Sequence, residues 1–209
     1  MNSSGSTFRI VVLASGGGTN LQAIIDQLHG RRGIEVVGVG SDKVDAFALE
    51  RAESAKIETG VFTRERHGDR LTRDLAMADW IDSRDADLVV LAGYMQLVSA
   101  EFVARFRGRI INVHPALLPS FPGLDAIGQA VEHGVRVTGV TVHYVDEGTD
   151  TGPIIMQRAV EIPANWDRDQ IEEAVHRIEH EIYPEAIGMI SEGKVRIASD
   201  SSRQVIIDQ

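Results

Sequence analysis

Asn112 and His114 stand two residues apart at the end of an apolar run, Ile110-Ile111-Asn112-Val113-His114. In an extended strand that spacing puts both side chains on one face. An amide can donate to an oxygen that gains negative charge, and an imidazole exchanges a proton near neutral pH. The pair therefore suits oxyanion stabilisation and proton transfer. The plainer reading is an Asn/His pair that satisfies a loop. Pro115, Pro119 and Pro122 follow closely and stiffen the chain behind the pair.

Three further stretches carry chemistry-bearing side chains. "DEGTDTGP" (146–153) supplies Asp146, Glu147 and Asp150 in a glycine-containing loop. A carboxylate close to His114 would favour the imidazolium and fix its orientation. Spacing does not choose among the three, and a solvated acidic turn is the simpler explanation. "SGGGTN" (15–20) joins an apolar run to an amphipathic one, where Gly16, Gly17 and Gly18 permit close backbone approach and a helix N-terminus favours an anion. It is neither a Walker A loop nor a clean dinucleotide fingerprint. "HRIEH" (176–180) matches an inverted zinc-protease signature, with His176 and His180 on one helix face. No third ligand stands out elsewhere, so no metal is expected. His176 and Glu179 lie beside the apolar stripe of that helix, at a core–surface boundary. His143 shares a strand face with Thr141 and reads as a packed strand histidine.

The elements that must position these groups alternate. Short apolar runs at 8–13, 35–40, 59–62, 87–93 and 109–114 read as strands. Between them lie helical patterns at 20–28, 45–55, 69–82 and 99–106. Leu21, Ile24, Ile25 and Leu28 form one face; Leu71, Leu75, Ala78 and Ile81 form another. Such alternation predicts an α/β fold with a doubly wound, mostly parallel sheet. After a helix at 124–134, "VTGVTVHYV" (137–145) and "IIMQRAVEI" (154–162) predict an antiparallel strand pair. Asp167 to Gln170 resembles a capping box for a long final helix, which Pro184 should kink or restart. "VRIA" and "QVII" around "SDSSR" suggest a terminal hairpin. Residues 1–7 read as a loose, disordered tail and residues 8–209 as one domain.

The bulk properties narrow the function class. The formal net charge of −10 disfavours a dedicated nucleic-acid binder. The absence of cysteine removes disulfides, Cys-ligated zinc and a thiolate nucleophile, and accords with a cytoplasmic protein. The apolar runs are too short to span a membrane.

Taken in order, "VVLASGGGTNLQAIID", "DLVVLAGYMQLV", "INVHPALLPSFPG", "VTGVTVHYVDEGTDTGPII" and "EHEIYP" resemble the 10-formyltetrahydrofolate-dependent formyltransferase family, from about Phe8 to Val195. The resemblance is to the members that act on glycinamide ribonucleotide. It implies a Rossmann-like formyltransferase fold and formyl transfer from 10-formyltetrahydrofolate, as co-substrate, to an amine. It implies a catalytic trio of Asn112, His114 and Asp150, so that the resemblance selects Asp150 where spacing does not. It also implies that Gly18, Thr19 and Asn20 hold the substrate phosphate and that His176 and Glu179 contact the sugar and glycinamide. The folate would lie along Met95, Gln96, Leu97 and Val98, against Asp146, Glu147, Gly148, Thr149 and Asp150, with Arg70 at the ligand. Small-molecule substrates are the implied partners, with no nucleic acid or membrane, for a monomer or homodimer. Three positions depart from the family's common pattern: Gln96 for Arg, Asp125 for His, and Gly17 for Asn or Thr.

Two enzymes on the same scaffold compete with this reading. A formyltetrahydrofolate deformylase would use the same trio with water as acceptor. That group usually carries an N-terminal regulatory domain, for which a glycine loop starting at residue 15 leaves no room. Its counterpart of "NVHPALLPSF" also tends to read His-His-Ser. A methionyl-tRNA formyltransferase tends to have a longer chain with an RNA-binding part. A non-catalytic nucleotide-binding α/β module is the remaining class.

Overall fold

The computed structural model describes residues 7–198 and 203–208. Of the expected N-terminal tail, all but Thr7 lies outside the described residues. So does most of the turn in the expected terminal hairpin. The chain divides into two compact units, Met1–Ile110 and Ile111–Gln209.

The first unit contains β1 (Phe8–Leu13), α1 (Thr19–Leu28), β2 (Ile34–Ser41), α2 (Phe47–Ser54), β3 (Thr59–Val61), α3 (Arg64–His67), α4 (Arg70–Asp82), β4 (Leu88–Leu91) and α5 (Ala100–Arg105). Its strands run parallel in the order β3-β2-β1-β4. Ile10 to Leu13 and Leu88 to Leu91 are buried without alternation, as strands covered on both faces must be. Polar caps set the helix starts. Asp69 accepts from the Thr72 amide at 2.8 Å, and Ser99 accepts from the Phe102 amide at 3.3 Å. The short helix α3 has no counterpart among the expected elements.

One expected face is wrong. The spacing of Leu71, Leu75, Ala78 and Ile81 placed the two leucines in the core. Instead α4 buries Arg73, Asp74, Met77, Ala78 and Ile81, and leaves Leu71 41% and Leu75 40% exposed. The helix is rotated because Arg73 and Asp74 have partners on the inner side, described below, that leucines could not satisfy.

The second unit opens within β5 (Ile110–His114). It continues with α6 (Ala126–Glu132), β6 (Val137–Tyr144), β7 (Ile154–Glu161), α7 (Arg168–Ser191), β8 (Val195–Ile197) and β9 (Val205–Ile207). β5 is antiparallel to β6, and β6 to β7; β8 and β9 form the expected hairpin pair. The parallel first half and the antiparallel pair in the second are the α/β architecture that the element order predicts. β6 is buried on both faces from Thr138 to Tyr144. The capping box at Asp167 and Gln170 is present, and α7 runs through Pro184 without restarting. Tyr183, Pro184, Ala186 and Ile187 are all buried there. Packing of this segment offsets the hydrogen bond that proline removes.

Candidate active site

The antiparallel register of β5 and β6 sets Asn112 opposite His143 and His114 opposite Thr141. Directly opposed residues share a face, so two strands deliver two histidines, an amide and a hydroxyl to one side. Asp150 completes the cluster. Its Oδ2 lies 3.5 Å from His114 Nδ1, and its Oδ1 lies 3.7 Å from His143 Nε2. His114 is almost fully buried and the Asp150 side chain is 13% exposed.

The partners define the hydrogen positions. His114 Nε2 lies 2.8 Å from the Phe121 carbonyl, which can only accept, so this nitrogen carries the proton. His114 Nδ1 then faces the carboxylate. His143 Nδ1 lies 2.8 Å from the Tyr144 carbonyl, so the proton is on Nδ1. In the neutral ring, Nε2 is left as an acceptor, 3.3 Å from Asn112 Nδ2. That contact settles which end of the Asn112 amide is nitrogen. One N–H engages His143, and the other is available to an external oxygen.

Two loops hold the cluster in place. Thr141 Oγ1 donates to the Ala116 carbonyl at 2.6 Å and accepts from the Leu118 amide at 3.0 Å, fixing the proline-rich segment after His114. The Gly123 amide, at the far end of that segment, donates to Asp150 Oδ2 at 2.8 Å. In the acidic loop, Asp146 Oδ1 accepts from the Gly148 amide at 3.0 Å and the Thr151 hydroxyl at 2.7 Å. Asp146 thus braces the loop, Glu147, Gly148 and Thr149 are exposed, and Asp150 alone of the three carboxylates reaches His114. Asp150 adopts a left-handed conformation, φ 55°. On α7, Glu179 is buried while His176 is exposed; they do not share the boundary position expected of both. Among the described residues, no group of three or more His, Asp or Glu is placed to hold a metal ion.

The first unit carries the other predicted residues. Gly18 is the left-handed N-cap of α1, φ 68°, and a Cβ there would sit 2.8 Å from Ala48. Packing alone therefore requires that glycine. Gly16 and Gly17 face open space. Their carbonyls are tied to α2: the Ala48 amide donates to Gly16 at 3.0 Å, and Arg51 Nε donates to Gly17 at 2.8 Å. Arg51 places a cation beside the loop, a contact the sequence motif did not reveal. Ser15 Oγ accepts from the Met95 amide at 2.8 Å, joining this loop to the segment after β4. In that segment Met95 and Leu97 are exposed, and Arg70 donates to the Val98 carbonyl.

Residues 8–187 match the formyl transferase family. The chain belongs to the formyl transferase family. It is 41% identical over 180 residues to the phosphoribosylglycinamide formyltransferase of Bacillus subtilis, covering 86% of this chain and 92% of that one. It is 40% identical over 194 residues to the enzyme of that name from Escherichia coli, covering 92% of each. The crystal structure of glycinamide ribonucleotide transformylase 1 from Symbiobacterium toebii superposes with a TM-score of 0.94 at 43% identity, covering 100% of this chain and 99% of that one.

Two departures from the formyl transferase pattern have structural explanations. Asp125 caps α6 by accepting from the Gly128 amide at 3.2 Å and pairs with Arg168 at 2.7 Å. The Gln96 carboxamide oxygen accepts from Arg73 at 3.3 Å, so a cation stands behind the side chain that lacks one.

The residue that sequence reasoning undervalued in this formyl transferase is His143. It is packed, as expected, but it also orients Asn112. The signal was present as a shared strand face with Thr141, yet only the β5–β6 register brings that face to Asn112. Burial holds His143 below the ordinary histidine value of 6.5, against the Tyr144 carbonyl and Asp150, which favour its protonation; His114 opposes it and Asp146 favours it weakly. In the unfolded chain the ring takes up a proton as pH falls through about 6.5, whereas the folded ring resists until lower pH. His143 thus contributes stability above about 6.5 that is lost as pH falls below it. His143→Gln should reduce the pH slope of unfolding free energy between pH 5 and 7, by up to about 1.4 kcal/mol per pH unit. Urea titrations of both proteins across that range measure it; equal slopes would show that His143 titrates normally.

Proposed function

We propose that this formyl transferase moves the formyl group of 10-formyltetrahydrofolate to the amine of glycinamide ribonucleotide. The products are N-formylglycinamide ribonucleotide and tetrahydrofolate, in purine biosynthesis. The observation that carries the reading is the meeting of Asn112, His114 and Asp150 in one cluster around the buried His114 ring. The amine attacks the formyl carbon, and the carbonyl oxygen becomes an oxyanion. The free Asn112 N–H donates to that oxygen, and the His114 Nε2–H would exchange the Phe121 carbonyl for it. The attacking nitrogen must then lose a proton and the folate nitrogen must gain one; Asp150 is the carboxylate in reach to relay it. Amine attack on a formyl group requires neither a metal nor a covalent enzyme intermediate.

Gly18, Thr19 and Asn20 are assigned to the substrate phosphate, supported by the open space at Gly16 and Gly17 and by Arg51 beside them. His176 and Glu179 are assigned to the rest of the ribonucleotide. Arg70, Met95 to Val98 and Asp146 to Asp150 are assigned to the folate. Residues 8–209 act as one domain, in the cytoplasm, as a monomer or homodimer without nucleic acid.

The test is one assay: purified protein with 10-formyltetrahydrofolate, with and without glycinamide ribonucleotide, followed by release of tetrahydrofolate. Release should require the amine and should survive prolonged chelation. Equal release without the amine would make the protein a deformylase. Loss on chelation with recovery on adding Zn²⁺ would return His176, Glu179 and His180 to the centre of the chemistry.

A further inference from the structure

Helix α4 turns a charged pair inward and two leucines outward. Arg73 is 3% and Asp74 0% exposed, while Leu71 and Leu75 are each about two-fifths exposed. Neighbouring positions on a helix do not normally face each other, yet Arg73 Nε and Nη2 lie 2.8 and 2.7 Å from Asp74 Oδ1. Burying such a pair is expensive and rarely stabilises a fold by itself. Its outward contacts account for it.

The two side chains, with Arg70, hold four consecutive residues after β4. Arg73 Nη1 donates to Gln96 Oε1 at 3.3 Å and Nη2 to the Leu97 carbonyl at 3.4 Å. Arg70 donates to the Val98 carbonyl. Asp74 Oδ2 accepts from the Ser99 amide at 2.6 Å. Residues 92–99 have no helix or strand of their own, so these charge-assisted bonds and the Ser15 contact set the loop's path. The loop in turn presents Met95 and Leu97, 64% and 65% exposed.

We propose that Arg73 and Asp74 are positioning residues for the formyl donor. As a buried clamp they fix segment 96–99 so that its backbone and the apolar side chains of Met95 and Leu97 meet the flat heteroaromatic ring of the folate. This rests on the assignment of that segment to the donor. Arg73 never touches the donor; it sets the loop before binding, so that donor binding does not have to order it.

Steady-state kinetics with both substrates test it. Arg73→Met should raise KM for 10-formyltetrahydrofolate about tenfold or more, with KM for the ribonucleotide within about twofold and kcat at saturating donor within about threefold. Arg73→Lys keeps the charge beside Asp74 but cannot reach both Gln96 and Leu97, and should fall between. Gln96→Ala leaves the buried pair intact and should raise donor KM about threefold, which keeps the test available if Arg73→Met does not fold. Leu97→Asp checks the underlying assignment. If it raises donor KM while Arg73→Lys and Gln96→Ala do not, the clamp is structural only and the proposal fails. If Leu97→Asp leaves donor KM unchanged, the assignment of this segment to the folate fails instead. Equal rises in both KM values for the Arg73 variants would also overturn the proposal.

Discussion

His114→Ala should lower kcat by a factor of about a hundred or more while both substrates still bind. Removing an oxyanion donor from a preorganised site typically raises the barrier by about 3–4 kcal/mol, and His114 has no neighbour that could replace it. His143 lies on the adjacent strand, but its Nε2, the nitrogen on the Asn112 side, accepts from that amide and has no proton to donate. Asp150→Asn should cause a loss of the same order for a different reason. The amide would still accept from the Gly123 N–H, so the loop stays closed, but it would neither place a negative charge beside His114 nor relay a proton. The two changes act on one unit, so the double variant should be little worse than either single one. Pre-steady-state and steady-state rates with saturating substrates measure this. A His114→Ala enzyme with near-normal kcat, or multiplicative losses in the double variant, would remove the trio from the mechanism.

Gly152→Ala should damage stability and catalysis together. A Cβ at this position would lie 1.8 Å from the Tyr144 carbonyl oxygen and 2.8 Å from its carbon. Both contacts are with backbone, so no rotamer change relieves them. That same oxygen accepts from His143 Nδ1, and the Tyr144 amide donates to Pro153 at 2.9 Å. Relief must therefore come from moving the loop that ends the β6–β7 connection and carries Asp150, or from moving Tyr144 and releasing His143. Overpacking of this kind destabilises by about 1–3 kcal/mol. At the upper end, with about 2–4 °C per kcal/mol for a chain of this size, the melting temperature should fall by roughly 6–12 °C. The kcat should fall about tenfold as Asp150 and Asn112 lose their fixed orientation. Calorimetry and steady-state kinetics on the same preparation decide it. A melting temperature within 2–3 °C of the parent would mean the loop has slack at about this scale that the static geometry hides.

The order of elements was legible in the sequence because unbroken apolar runs and 3.6-residue periodicity are local properties. They predicted β1, β2, β4, β5, β6 and β7 to within a few residues, along with the Asp167 capping box. The Asn112/His114 pair was also legible, since i, i+2 on a strand fixes a common face. Choosing Asp150 over Asp146 and Glu147 was not. The three differ only in how the loop folds: Asp146 turns back onto Gly148 and Thr151, while Asp150, in a left-handed conformation, reaches the Gly123 amide and His114. The family resemblance supplied that choice, not the spacing. His143 became part of the cluster only through the β5–β6 register, a pairing between residues 31 positions apart that local pattern does not encode. Helix α4 is the clearest failure. Periodicity assumes that leucines seek the core, and it chose Leu71 and Leu75. The tertiary structure instead buried Arg73 and Asp74, because buried charge is tolerated where partners exist, and their partners at residues 96–99 are brought to α4 only by the fold.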